Sequence, residues 1–359
     1  MCGARRKTTV ALLGILLAAS GAPAVRAGQQ APSSTAAPVP VFEFHSGFWI
    51  NLHHFLYAQA RAPKGPAPDS SRTAAEDAAS RSPAPRPISL DALNAKERED
   101  WNAAVDYYAQ DLAGRDLLFN GDMVNINNRL AELETCADLS GRSMPQCASG
   151  LRPELIATLE RAAPVYRARV WPEHDRANRI WLSAAAPMAR QMGLDLAHQL
   201  AAAYRADWPT EKLRVDLVIF GGPFGAYTTL DPVHLTISST DPRNQGFAAL
   251  EVLFHEASHA LAGAVRDAIV RECRTRGKPI PRDLWHALLF YTTGDAVKRA
   301  LSHDQLAAGQ AAYRPYAYRF GLYARGWSSY QRVLERFWQP YLDGKTDFDS
   351  AVARIVSAL

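Results

Sequence analysis

The stretch Leu250–Ala264, LEVLFHEASHALAGA, constrains this chain more than any other. It places His255 and His259 four residues apart with Glu256 beside the first, an HExxH pattern. On a helix that spacing puts both imidazoles on one face, one turn apart, where both can reach a single Zn2+ at about 2.0–2.1 Å. Glu256 is then placed to act as general base on a water at the metal. The segment reads as a helix. Leu250, Phe254, Ala257, Leu261 and Val265 recur at three and four residues as an apolar stripe, and the histidines lie beside it. Ala257, Ser258, Ala260 and Ala262 leave room around a metal. The plainer alternative is a core helix carrying two hydrogen-bonded histidines.

LFHEASHAL resembles the active-site helix of the zincin metallopeptidases over about fifteen residues. The resemblance implies peptide hydrolysis by metal-activated water, a Zn2+ cofactor and a peptide or protein substrate. It also implies three protein ligands with a fourth position open. Metzincins would carry glycine at position 262 and histidine at 265, where this chain has Ala262 and Val265. A gluzincin-like or more divergent arrangement, with the third ligand on a later helix, fits better.

That later helix is expected at Asp283–Leu301, DLWHALLFYTTGDAVKRAL, which offers His286 and Asp295. Imidazole suits zinc, which favours His286. If the two helices form an antiparallel hairpin, register favours Asp295, a shortened counterpart of the glutamate that a gluzincin would carry. Nine residues at 100° each put the two half a turn out of phase, so one helix cannot point both at a metal. Glu272 and Glu335 are weaker options. Glu251, one turn before His255, is a candidate to orient a ligand.

Sheet periodicity is concentrated just before the motif. Leu213–Phe220, Ala226–Leu230 and His234–Ser239 read as strands. HLTISS is expected to be the edge strand of the cleft, with His234 and Thr236 holding extended peptide. After the motif, Tyr313–Tyr330 is dense in Tyr and Arg. Tyr318 is the first candidate to stabilise an oxyanion, ahead of Tyr313, Tyr316, Arg314 and Arg319. Amphipathic packing with snorkelling arginines is the alternative.

The ends and linkers follow from composition. Arg5-Arg6-Lys7, the apolar Val10–Ala19 and the small-x-small Val25-Arg26-Ala27 form an export signal over residues 1–27, too short to span a membrane. The product is expected to be exported, periplasmic or extracellular, with no stable membrane span. Residues 28–40 are Ala/Pro/Ser-rich and expected to be disordered. Residues 41–359 are expected to form one domain interrupted by a Pro/Ala-rich excursion at about 61–88. The net charge of +4 falls to zero once Arg5, Arg6, Lys7 and Arg26 are removed, so there is no electrostatic case for nucleic acid. Cys136 and Cys147 enclose a short loop suited to a disulfide, leaving Cys273 alone. His45, His53 and His54, in an aromatic segment, read as hydrogen-bonded core residues or as cleft-lining groups. The expected fold is α+β and mostly helical, a zincin-like catalytic domain with a small β-sheet preceding the HExxH helix. The competing function is a non-catalytic zinc-binding or scaffold protein built on a peptidase fold.

Overall fold

The computed structural model describes residues 41–62, 82–307 and 311–359. The expected signal at 1–27, the segment 28–40 and most of the excursion after residue 61 lie outside them. The described chain is mostly helical with one four-stranded mixed sheet. The strands are β1 (Phe42–His45), β2 (Leu213–Val218), β3 (Ala226–Leu230) and β4 (Val233–Ser238), in the order β1-β2-β4-β3. The first three in space are parallel, and β3 joins β4 antiparallel. β1 is a fourth strand beyond the three expected. Its four residues, FEFH, carry too short an alternation to stand out beside the aromatic helix that follows.

The topology corrects one expectation. HLTISS is an interior strand between β2 and β3, and the edge nearest the motif is β3. Alternation explains where its side chains go. Leu235 and Ile237 join Leu213, Val215 and Leu217 on the face that packs against the motif helix. His234 and Thr236 therefore point the other way, fully buried. His234 shares hydrogen bonds with Asp216 (2.8 Å) and Asn128 (2.9 Å), and Asn127 donates to the Thr236 hydroxyl. Neither residue faces the motif, so the substrate-holding role expected of them is withdrawn.

That second face is covered by α1 (Phe48–Arg61), α2 (Ala95–Tyr107), α3 (Gly121–Glu132) and α4 (Pro153–Arg169), which build their own core around Trp49, Phe55, Trp101 and Tyr166. The motif-side face is covered by α5 (Trp171–Tyr204), the motif helix, α8 (Leu284–Ala307) and the C-terminal segments. A disulfide joins Cys136 to Cys147, and Cys273 is buried and free. No described helix is long and apolar enough to cross a membrane.

The aromatic N-terminal histidines are core residues. His53 meets the Tyr108 hydroxyl at 2.8 Å, and His54 bonds the Ile50 carbonyl and the Tyr227 hydroxyl, each at 2.9 Å. His45 instead pairs with Glu134. Burial drives His53 well below the ordinary imidazole range and His54 and His174 down to about 4. Unfolded, these groups titrate near 6.5, so between pH 6.5 and 4 the unfolded chain binds more protons. Their stabilisation is complete above pH 6.5 and is lost as pH falls through that window, at about 1.4 kcal/mol per pH unit for each. Glu251 and Glu256, both pushed up to about 7 by burial, act in the opposite sense, but in the metal-free protein His255, His259 and His286 are depressed as well, so the histidines outnumber them. Metal-free protein is therefore expected to lose urea resistance steeply from pH 6.5 to 5. A midpoint unchanged over that range would remove these histidines from the buried neutral state.

Candidate metal centre

The motif helix is pinned to the sheet before it begins. Asn244 donates to the carbonyls of Gly225 and Ser238, and its own carbonyl accepts from the Trp181 indole at 2.7 Å. Gly246 then turns the chain with φ 60°, a conformation that disfavours side chains, and α6 (Phe247–Ser258) starts. One long helix through the motif was the expectation. Instead α6 ends at Ser258, His259–Leu261 form a 3-10 turn, and α7 (Gly263–Thr275) resumes as a separate helix.

His255, His259 and His286 converge, with ligand atoms all within 4.8 Å of one another. The Nε2 atoms of His255 and His286 are 3.1 Å apart. Two ligands on a tetrahedral zinc at 2.0–2.1 Å would sit about 3.3 Å apart, so this pair already has the spacing of one edge of such a site. Burial keeps all three rings neutral, the state that binds metal. His255 is held well below its usual range, His259 falls to about 3 and His286 to about 4. Neighbouring imidazoles add to the effect on His255 and His259. The donor set is three neutral nitrogens, from α6, the 3-10 turn after it and α8, which fits Zn2+.

Glu256 is buried, with its Oε2 3.9 Å from His259 Nε2. Thr228, at the middle of β3, donates to that carboxylate at 2.7 Å. Thr228 pairs with Leu235 across the sheet and so shares its motif-side face. Burial pushes the Glu256 carboxyl up to about 7, and the Thr228 hydrogen bond opposes this.

No protein-family model, curated protein or solved structure matches this chain.

Aromatic rings wall the three imidazoles. Phe290 stacks on His255 at 3.6 Å between centroids, Trp285 stacks on His286 and meets His259 edge-on, and Trp327 abuts His286. Phe290 is four residues after His286, so helical spacing places it on the same face. Tyr316 stacks in turn on Phe290, and its hydroxyl makes no hydrogen bond with any described residue. Its backbone N–H and the Tyr313 hydroxyl both bond the buried Glu251 carboxylate, at 2.9 and 2.7 Å. Glu251 thus anchors the Tyr313–Tyr316 loop to the motif helix, and among the described residues no hydrogen bond links it to a histidine. Gly294 makes room for this loop. A Cβ there would stand 2.7 Å from Pro315 Cβ and 3.0 Å from a Glu251 oxygen.

Besides His234 and Thr236, two further expected site residues lie elsewhere. Asp295 pairs with Arg299 at 2.6 Å, half a turn around α8 from His286. The Tyr318 hydroxyl donates to Glu335 at 2.8 Å. Both line a separate groove of about 310 Å³ with Tyr291 and Gln339. Among the expected residues, His255, Glu256, His259 and His286 come together. Thr228, Trp285, Phe290 and Arg266 join them without having been singled out in the sequence.

Proposed function

We propose that the protein is an exported zinc-dependent peptidase, with His255, His259 and His286 as the metal ligands. The observation that carries this reading is the convergence of three neutral imidazoles, one buried and two partly buried, beside the buried Glu256 carboxylate. A bound Zn2+ would supply the Lewis acidity that makes water a nucleophile at neutral pH and polarises a carbonyl. Glu256 takes the proton of the attacking water and returns it to the leaving amine. Thr228 holds the Glu256 carboxylate in one orientation for both transfers. Tyr316, with its free hydroxyl on the Phe290 wall, donates to the oxyanion that develops on the scissile carbonyl. β3, at the sheet edge over the motif helix, is the strand best placed to align an extended peptide. The Cys136–Cys147 disulfide supports an oxidising compartment, in keeping with export.

The deciding experiment is metal analysis of the purified chain together with a broad peptide-library assay. One zinc per chain and hydrolysis that a chelator removes and added Zn2+ restores are expected. Zinc without turnover would favour the non-catalytic alternative, and no zinc at all would sink both readings. Tyr316→Phe is expected to lower kcat by about 100-fold with zinc content and KM little changed. An unaltered kcat would take Tyr316 out of the mechanism.

A further inference from the structure

We infer that Arg266 is the receptor for a carboxylate of the substrate, so that the preferred substrates are peptides bearing an anionic group close to the bond that is cut. This rests on the peptidase reading for its consequence, though not for its test.

Arg266 lies on α7, one helix beyond the motif. Its guanidinium carbon sits 3.7 Å from the centroid of the Trp285 ring. Trp285 is the ring that contacts both His259 and His286. The cation is therefore laid against the wall of the three-histidine centre, and its charge contributes to depressing His259 and His286. Arg271 on the same helix, Arg276 just past its end and Arg299 on α8 each pair with a carboxylate. Arg266 has none: among the described residues its side chain makes no ion pair or hydrogen bond, and its Nε is buried without a partner. Burial lowers its affinity for its proton, with no compensating anion. Asp267 is its exposed chain neighbour, and Asp283 acts on His286, but neither pairs with it.

An arginine held flat on an indole keeps its fork of donors fixed in the plane, which suits bidentate capture of a carboxylate. Its position separates it from the proposed oxyanion donor. Tyr316 approaches through Phe290, on the His255 side. Arg266 approaches through Trp285, on the side of His259 and His286. Two donors on different walls match a substrate that presents a carbonyl to one and a formal negative charge to the other. A free C-terminal carboxylate one residue beyond the scissile bond has that form, and so does an acidic side chain there.

The test is a binding titration, followed by NMR, on the full-length zinc-free protein, where no metal can capture the carboxylate. The probes are N-acetyl-Ala-Ala as free acid, the same peptide as C-terminal amide, and N-acetyl-Ala-Glu amide. The free acid is expected to bind about 10- to 100-fold more tightly than the amide, the range for a charge-assisted pair. Arg266→Gln is expected to erase that preference, and Arg266→Lys to reduce it several-fold because the fork is lost. Tight binding of the Glu peptide would make the acidic side chain the source of the anion; weak binding with a tight free acid would make it the C-terminus. Equal binding of all three probes by the wild-type protein overturns the inference, whether or not the variants fold. So does a preference that survives in Arg266→Gln. Absence of turnover in the zinc-loaded protein would instead strike the peptidase reading and leave the anion preference legible.

Discussion

Glu256→Gln is expected to retain zinc and lose hydrolysis by roughly 100- to 10,000-fold, the range for removing a general base. The substitution keeps the shape of the side chain, and an amide oxygen can still accept from Thr228, whose hydroxyl lies 2.7 Å from the carboxylate. The three imidazoles are untouched, so metal content should stay at the wild-type level. The change removes only the group that shuttles the proton. Metal content and kcat should be measured on the same preparation, since retention of zinc is what separates lost chemistry from a lost site. A variant that remains fully active would show that Glu256 is not the base.

The second large effect is expected at His286. His286→Ala should weaken zinc binding by well over 100-fold, beyond the 10- to 100-fold typical of losing a residue that merely supports a ligand. Asp295→Ala is its control. Asp295 is held by Arg299 on the opposite side of α8, so its loss should leave zinc affinity unchanged. A competitive titration against a zinc chelator would measure both. The reverse result, with zinc lost in the Asp295 variant and kept in the His286 variant, would refute the ligand set drawn from the geometry.

These two residues also show where sequence reasoning ran short. The half-turn offset between His286 and Asp295 was legible from spacing alone, so one of them had to face away. Choosing between them by register required one unbroken helix through the motif. The structure breaks that helix at His259–Leu261, and the register arithmetic fails with it. The apolar stripe of the motif, the strands before it and the cysteine loop were legible because each rests on local periodicity or close spacing. The strand order was not. Whether His234 and Thr236 face the motif depends on which face of the sheet the helix covers and on β3 taking the edge. Tyr316 and Tyr318 are two residues apart, and only the packing of Tyr316 on Phe290 and of Tyr318 against Glu335 separates their roles. Arg266 carried no signal in a charged helical stretch, because being unpaired is a property of the fold.

The pairing of β1 with β2 has a consequence for biosynthesis. Phe42 lies opposite Leu213, so 171 residues separate partners in adjacent parallel strands. At 5–20 residues per second a ribosome needs roughly 10–30 s to make the second strand after the first. Throughout that interval FEFH is a strand with no neighbour, followed by a helix that is buried along most of its length in the finished protein. The helices α1 to α4 are complete well before β2 and share a core of their own, so they can gather Trp49, Phe55 and Trp101 while the sheet waits. The histidine centre, built from residues 255 to 286, comes later still, on a platform whose first strand was among the earliest segments made.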